Sequence, residues 1–256
     1  MNNVIKVKNV SFKYDEQVVL KNINLKVAKG DFLALLGSNG SGKTTLMKLI
    51  IGELKASSGS IELLGENVSN FKSWSKIGYI SQQVKEFNQS FPATVREVIA
   101  ANLYFKMGYF KLLKKELSKK IDESLKLLDM YQYKDRQIGK LSGGQQQRVF
   151  IARTLVTDPE IIFLDEPLVG VDENNQKEFM SIINKLNREL GISIVMISHD
   201  IHIVSSEANK IACFSDGDLF LHSADDFTYD DYVKKVNNDR VFLPEHDHSE
   251  ESDSYA

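Results

Sequence analysis

Polar and apolar residues alternate along the first part of the chain, over residues 4–27. A period of two puts every second side chain on one face of a strand, so this stretch predicts an antiparallel sheet with one buried face. Later runs are apolar throughout, which is typical of strands covered on both faces. These runs occupy residues 32–36, 77–81, 161–164, 192–197 and 211–214.

Apolar residues recur at helical spacing in two other parts of the chain. Residues 95–140 show this spacing with no strong strand pattern, so they predict a helical insertion. The apolar residues between Phe179 and Leu190 share one helical face, and Gly191 predicts the end of that helix. The strand–helix–strand order of this half predicts an α/β fold with a parallel, doubly wound core. The serine-rich residues 57–60 predict a turn before a strand at 61–64.

Composition and charge narrow the classes of protein that remain. The chain has 256 residues and a net charge of −3, which argues against a nucleic-acid partner bound through a basic surface. Its one cysteine, Cys213, allows no internal disulfide and fits a reducing compartment. No apolar run reaches the roughly 18 residues that a membrane span needs. We therefore expect a cytoplasmic protein whose membrane role, if it has one, comes through a partner.

A glycine-rich loop between an apolar strand and a helical pattern supplies the first candidate chemistry. It fits the pattern of a phosphate-binding loop, in which backbone N–H groups and the helix N-terminus surround an anion. Lys43 is expected to reach the β- and γ-phosphates of a nucleotide, and the Thr44 hydroxyl to hold Mg²⁺. The predicted loop consists of Gly37, Ser38, Asn39, Gly40, Ser41, Gly42, Lys43, Thr44 and Thr45.

Two adjacent carboxylates close the apolar strand at 161–164. In a phosphate-loop protein the first, Asp165, is expected to hold Mg²⁺ directly or through water. The second, Glu166, is a candidate general base for the attacking water. Two adjacent acidic residues alone indicate little. They specifically indicate a nucleotide site here because the chain also contains the glycine loop.

A second anion-binding pattern lies at residues 141–145. Here a serine and two glycines precede a helix, which offers a hydroxyl and free N–H groups. One nucleotide does not need two such cradles in one domain, so a second copy of the chain is a candidate source of the second one. The residues of this motif that are expected to act in the partner's site are Ser142, Gly143, Gly144 and Gln145.

With these motifs in this order, the sequence resembles the ATP-binding subunit of ABC transporters over nearly its whole length. The resemblance implies a P-loop ATPase fold with a RecA-like parallel core, an N-terminal antiparallel β-subdomain and a helical subdomain at about residues 84–150. It implies one cassette domain over residues 1–240. Residues 241–256 form an acidic, histidine-containing tail that composition predicts to be disordered.

The family's mechanism implies a homodimer that encloses two ATP molecules with Mg²⁺. Each ATP would lie between the glycine loop of one subunit and Ser142 and Gly144 of the other. Closing and reopening this dimer would drive integral membrane permease subunits between two states.

Smaller family positions carry over one by one. Tyr14 matches an aromatic that stacks on adenine, and Gln82 matches a glutamine that contacts Mg²⁺ and the attacking water. The neighbouring Gln83 leaves that assignment open by one position. His199 matches the histidine that contacts the γ-phosphate, and Asp172 matches an aspartate that couples the two sites. By resemblance, Glu166, His199 and Gln82 are the catalytic set.

The resemblance extends to the zinc and manganese importers within the family. Residues 169–171 depart from the usual Ser-Ala-Leu as those importers do, and residues 86–95 and 108–110 are similar to the zinc branch. His246 and His248 in the tail add possible zinc ligands. The expected function is ATP-driven import of a divalent metal, most of all zinc, at the inner face of the membrane, with an extracytoplasmic metal-binding protein as an indirect partner. Manganese transport, a soluble ABC ATPase and a regulatory metal-binding module remain alternatives.

Overall fold

The computed structural model of the chain describes residues 2–80, 92–104, 115–200, 207–215 and 217–223. Within these ranges the strands are β1 (Asn3–Tyr14), β2 (Gln17–Ala28), β3 (Phe32–Gly37), β4 (Ser58–Leu63), β5 (Glu66–Asn67), β6 (Ile77–Ile80), β7 (Ile161–Asp165), β8 (Ser193–Ile197), β9 (Lys210–Ser215) and β10 (Asp218–Ser223). The α-helices are α1 (Lys43–Ile50), α2 (Val95–Ala101), α3 (Lys115–Leu127), α4 (Gly143–Leu155) and α5 (Glu173–Leu190). Short 3-10 helices lie at Val68–Asn70, Trp74–Lys76, Tyr131–Tyr133 and Ile138–Lys140.

The first two strands form the antiparallel pair that the alternating pattern predicts. Val7 of β1 lies opposite Leu25 of β2, and Val10 lies opposite Ile23. β4 pairs with the other edge of β1, and β5 pairs with β4. Among the described residues this gives a four-stranded sheet in the order β2-β1-β4-β5. Its apolar face is buried because apolar and polar positions alternate along β1 and β2.

β4 begins earlier than the sequence predicts. Residues 57–60 have the composition of a turn, yet Ser58 already pairs with Ser11 of β1. A Cβ at Gly59 would lie 2.4 Å from the backbone oxygen of Asn9, at a point where the pairing register shifts. Glycine is needed there because the two backbones come too close for a side chain. The predicted turn is therefore wrong.

The second sheet carries the parallel core. In the described part of the chain it has six strands in the order β10-β9-β3-β8-β7-β6. The strands from β9 to β6 are parallel, and β10 pairs antiparallel with β9 at the edge. The predicted parallel core is confirmed. Because parallel strands bring their carboxyl ends to one edge of the sheet, the residues that follow β3, β7 and β8 meet at that edge.

Alternate residues of the parallel strands enter two separate hydrophobic cores. In β3, Leu33 and Leu35 pack with the antiparallel sheet and α1. Phe32, Ala34 and Leu36 pack on the opposite face with residues of α2, α3, α4 and α5. Both faces of the sheet are covered, so its central strands are apolar throughout, as their sequences predict.

The helices α2, α3 and α4 pack together on one side of the sheet. The guanidinium of Arg96 in α2 donates to Asp122 Oδ1 at 2.5 Å and to Ser118 Oγ at 2.9 Å, and both of these acceptors belong to α3. The predicted helical subdomain ends near residue 150, a position that lies within α4.

Within the described ranges, no helix is both long enough and apolar enough to cross a bilayer. The predicted tail at 241–256 and the sequence similarity at 108–110 lie outside the described residues.

Candidate functional site

The predicted phosphate loop joins the carboxyl end of β3 to the amino end of α1. Gly42 caps α1 with a φ of 106°, a left-handed conformation that favours glycine. A Cβ at Gly42 would lie 2.7 Å from Leu20 Cδ2, so β2 presses against the loop from one side. The loop thus combines a helix N-terminus with a close approach of β2 that only a glycine at position 42 permits.

The ammonium group of Lys43 is buried inside this loop. It donates to the backbone oxygens of Gly37 at 2.8 Å and Ser38 at 2.7 Å, and only 4% of the residue is exposed. Burial lowers the pKa of Lys43, while the nearby carboxylates of Glu166 and Asp165 oppose that decrease. A positive charge held by carbonyl oxygens is available to an anion.

One polar atom of the loop has no hydrogen-bond partner among the described residues. The hydroxyl oxygen of Ser41 is buried and makes no hydrogen bond within these ranges, whereas Ser38, Asn39 and Gly40 are exposed. Buried polar atoms nearly always have partners, so an unpaired hydroxyl in an anion-binding loop indicates that a ligand oxygen completes it. The Ser41 hydroxyl and the Lys43 ammonium fit a nucleotide phosphate.

Asp165 lies at the end of β7, beside the first turn of α1. That turn contains Thr44 and Thr45, both partly exposed, and the Thr44 side chain is near enough to the Asp165 carboxylate to lower its pKa. The Tyr79 hydroxyl of β6 donates to Asp165 Oδ2 at 3.2 Å. Burial raises the pKa of Asp165 and the neighbouring Glu166 raises it further, whereas Tyr79 and Thr44 lower it. The chemistry of this donor set, a carboxylate beside a threonine hydroxyl, fits Mg²⁺.

Glu166 and His199 meet at the ends of the neighbouring strands β7 and β8. Glu166 has a φ of 49°, an uncommon backbone conformation for a residue other than glycine. Its N–H is bonded to the carbonyl of Ile197 at 3.2 Å. His199 Nε2 lies 2.5 Å from Glu166 Oε1. The predicted carboxylate and histidine are therefore brought into direct contact.

The second predicted motif begins helix α4. The Ser142 hydroxyl accepts the N–H of Gln145 at 3.3 Å, and Gln145 Oε1 accepts the N–H of Ser142 at 3.1 Å, which forms a capping box. Ser142 and Gly143 are exposed. In the described residues, no hydrogen bond joins Ser142 or Gln145 to the phosphate loop. The Ser142 hydroxyl is therefore engaged at the start of its own helix, and the residue stays exposed there.

Asp172, the predicted coupling residue, caps helix α5. Its carboxylate accepts the backbone N–H of Asn175 at 3.1 Å and that residue's side-chain amide at 2.5 Å. A Cβ added to Gly144 would lie 2.7 Å from Asn175 Oδ1. Asp172 and the motif that begins α4 are therefore linked through Asn175.

Sequence patterns do not single out two glutamines that fasten the loop after the acidic pair. Gln147 of α4 donates to the backbone oxygen of Pro167 at 3.1 Å. Gln176 of α5 donates to the backbone oxygens of Leu168 and Val171 at 3.3 and 2.9 Å. The one sequence feature that could have indicated Gln147 and Gln176 is their position: each lies in the first turns of a helix that starts at a predicted motif.

Tyr14 ends β1, and its ring is 46% exposed. The ring packs edge-on against Phe12 with 4.7 Å between centroids. Tyr14 pairs with Gln17 of β2, the strand whose Leu20 contacts the phosphate loop. An exposed ring near the loop fits the predicted adenine contact. Gln82 lies outside the described residues.

A parallel sheet with a glycine loop, an acidic pair and a histidine at its carboxyl edge defines a P-loop ATPase. The ABC transporter family model matches residues 20–169, which include the phosphate loop, the 141–145 motif and the acidic pair. The chain belongs to the ABC transporter family, and it is an ATP-hydrolysing cassette of that family.

Relatives within the family include metal-uptake proteins. The chain is 47% identical over 229 residues to the zinc uptake system ATP-binding protein ZurA of Listeria innocua, covering 90% of this chain and 89% of ZurA. It is 37% identical over 211 residues to the manganese transport system ATP-binding protein MntB of Halalkalibacterium halodurans, covering 82% of each chain. The structure of CbiO1 from Clostridium perfringens, part of the transporter complex CbiONQ, matches with a TM-score of 0.79 and 31% identity, covering 93% of this chain and 96% of CbiO1.

Proposed function

We propose that this protein is the ATPase subunit that powers import of a divalent metal ion, zinc first, through a membrane permease. The observation that carries the proposal is the contact between Glu166 and His199 beside the buried ammonium of Lys43. A module that only bound nucleotide would not need a candidate base and a histidine held together at the phosphate site. The 47% identity to ZurA supports zinc as the metal.

The phosphate loop would hold the triphosphate of ATP. Lys43 and the Ser41 hydroxyl supply the charge and the donor, and the N–H groups at the start of α1 complete the cradle. Thr44 and Asp165 would hold Mg²⁺, joined by Gln82 from outside the described residues. When bound, the ion neutralises charge on the phosphate oxygens. Tyr14 would stack on adenine.

Glu166 would accept a proton from the attacking water. The contact with His199 keeps the Glu166 carboxylate at the carboxyl edge of the sheet, where the phosphate loop also ends. His199 and Lys43 would stabilise the charge that develops on the γ-phosphate.

A second copy of the chain would complete the site. The exposed Ser142 is bonded to its own helix, and among the described residues no hydrogen bond joins it to the phosphate loop. Facing another subunit, Ser142, Gly143 and Gly144 would offer their donors to that subunit's ATP. Asp172 would couple the two sites. We infer a homodimer that closes on ATP.

Closing and reopening of the dimer would change the conformation of integral membrane permease subunits. The protein would then lie on the cytoplasmic face of the membrane, with an extracytoplasmic metal-binding protein delivering the ion. The match to CbiO1, which is part of a transporter complex, supports the permease partner.

Metal content of cells tests the substrate. A strain that lacks the gene is compared with strains rescued by the wild type, by Lys43→Ala and by the matched control Lys29→Ala at an exposed lysine. We expect cellular zinc to fall on deletion and to recover with the wild type and Lys29→Ala but not with Lys43→Ala. Unchanged zinc in the deletion strain rejects zinc import.

Manganese import is the second candidate, because the chain is also 37% identical to MntB. It predicts that deletion lowers cellular manganese and leaves zinc unchanged, with the same rescue pattern. Loss of neither metal would favour a soluble ABC ATPase or a regulatory module.

A further inference from the structure

The strand β6 places a tyrosine hydroxyl on the acidic pair. β6 and β7 are parallel neighbours in which Tyr79 lies opposite Phe163, two residues before Asp165. From there the Tyr79 hydroxyl reaches Asp165 Oδ2 at 3.2 Å. The hydroxyl is the donor in this bond, since the carboxylate can only accept.

The surroundings keep this hydroxyl a donor. Burial raises the pKa of Tyr79, and the negative charge of Asp165 raises it further, so the phenol stays protonated. The ring itself remains 37% exposed at the surface of the site. Its neighbours in the strand, Gly78 and Ile80, are buried, because successive residues of a strand face opposite sides of the sheet. The aromatic ring is therefore not a core residue, and its hydroxyl has a defined partner.

Two side chains from other elements face the Asp165 carboxylate. The Tyr79 hydroxyl of β6 hydrogen-bonds to it at 3.2 Å, and Thr44 of the first turn of α1 lies beside it. Thr44 is itself assigned to Mg²⁺. An ion that binds the Thr44 oxygen would therefore alter the contact between Thr44 and Asp165. The bond from Tyr79 has no such competing role.

We propose that Tyr79 is a positioning residue whose hydroxyl orients the Asp165 carboxylate for Mg²⁺. The inference rests on the proposed role of Asp165 as a Mg²⁺ ligand. Water competes for both groups of a partly exposed hydrogen bond, so its loss has a smaller effect than the loss of a buried one. Because Tyr79 is partly exposed, we expect a change of roughly three- to tenfold in the Mg²⁺ dependence, about 1.4 kcal/mol at the upper limit.

The test uses Tyr79→Phe in the full chain, because phenylalanine keeps the ring and removes only the hydroxyl. Tyr133→Phe is the matched control: Tyr133 lies in the helical region and packs against Arg136, away from the site. The first measurement is the Mg²⁺ concentration that gives half-maximal ATP hydrolysis. The second is equilibrium binding of ATP with and without Mg²⁺, in a Glu166→Gln background that slows turnover.

For Tyr79→Phe we expect the half-maximal Mg²⁺ concentration to rise three- to tenfold. Binding of ATP without Mg²⁺ should stay within twofold of the parent, and the gain in affinity on adding Mg²⁺ should shrink. Tyr133→Phe should leave all three values unchanged. If the Mg²⁺ dependence of Tyr79→Phe equals that of the parent, or if Mg²⁺-free binding falls as much as Mg²⁺-dependent binding, Tyr79 is not a positioning residue.

Asp165→Asn separates this inference from the proposal beneath it. If Asp165→Asn raises the half-maximal Mg²⁺ concentration and Tyr79→Phe does not, only the inference about Tyr79 fails. If neither variant changes it, the assignment of Mg²⁺ to Asp165 fails as well. In the double variant, the tyrosine change should have no further effect, because the two residues act through one bond.

Discussion

The side-chain amide of Gln147 donates a hydrogen bond to the backbone oxygen of Pro167 at 3.1 Å. Gln147 belongs to the helix that starts at Ser142, and Pro167 directly follows Glu166. The bond therefore joins the motif assigned to the partner's ATP to the loop that carries the candidate base. Any shift of α4 when ATP closes a dimer would act on Glu166 through this contact.

Removing this amide should slow hydrolysis more than it weakens binding. In Gln147→Met the side chain keeps its length and loses its donor, so the Pro167 carbonyl loses its partner and Glu166 is held less firmly. We expect kcat to fall roughly three- to tenfold, in line with one partly buried hydrogen bond, with KM for ATP within twofold. Steady-state ATPase assays measure both kcat and KM. The control is Gln132→Met, because Gln132 is an exposed glutamine whose amide donates to the backbone oxygen of Asp129. An unchanged kcat would show that the contact is only structural.

Glu166→Gln should bind ATP and hydrolyse it very slowly. Glutamine keeps the shape of the side chain but cannot take a proton from water, and general-base catalysis typically contributes about 10²–10⁴-fold. Single-turnover hydrolysis and nucleotide-binding measurements separate the two effects. We expect the ATP-bound variant to accumulate as a dimer in size-exclusion chromatography, while the nucleotide-free variant remains monomeric. Turnover near that of the wild type would reject Glu166 as the base.

The two glycines that begin α4 should differ in their tolerance of alanine. A Cβ at Gly143 meets nothing within 4 Å, whereas a Cβ at Gly144 would lie 2.7 Å from Asn175 Oδ1 and push it away from Asp172. Loss of the side-chain hydrogen bond from Asn175 to Asp172 should make Gly144→Ala about 1 kcal/mol less stable than Gly143→Ala. Urea unfolding of the nucleotide-free protein measures the difference.

The same comparison in an Asn175→Ala background is the control. There the obstructing oxygen is gone, and the two alanine variants should have equal free energies of unfolding. A difference that persists in this background would place its cause elsewhere.

Two asparagines one turn apart on α5 should differ in their effect on stability. Asn187 Nδ2 donates to the backbone oxygens of Gly30 and Ile192, both at 2.9 Å, which ties α5 to the turn before β3. Asn184 Oδ1 is buried and has no hydrogen-bond partner in the described part of the chain. We expect Asn187→Ala to cost about 1–3 kcal/mol and Asn184→Ala to cost clearly less, because only the first leaves carbonyls unpaired. Equal losses in urea unfolding would contradict the assigned bonds.

Much of the fold and of the nucleotide site follows from local sequence patterns. Alternation over residues 4–27 predicts the antiparallel pair, and the apolar runs predict the parallel strands, because each pattern reports which faces of a strand are buried. Gly42, Lys43 and Asp165 are evident because the chemistry of phosphate binding requires those residue types next to a strand end.

Other features depend on contacts between distant segments. The turn predicted at 57–60 is part of β4, since Gly59 fits where the backbone of β1 comes close. No local pattern shows that Tyr79 reaches Asp165 or that Gln147 reaches Pro167, because polar side chains of these types are common on any surface.

The sequence by itself determined where the glycine loop and the acidic pair lie, and it predicted a second helix start suited to an anion, since each is a short motif whose chemistry is local. Only the tertiary structure decided how they combine. Parallel strands deliver Glu166 and His199 to one edge and into contact. The same packing leaves Ser142 exposed, and among the described residues its hydroxyl bonds to Gln145 of its own helix, since it caps the start of α4.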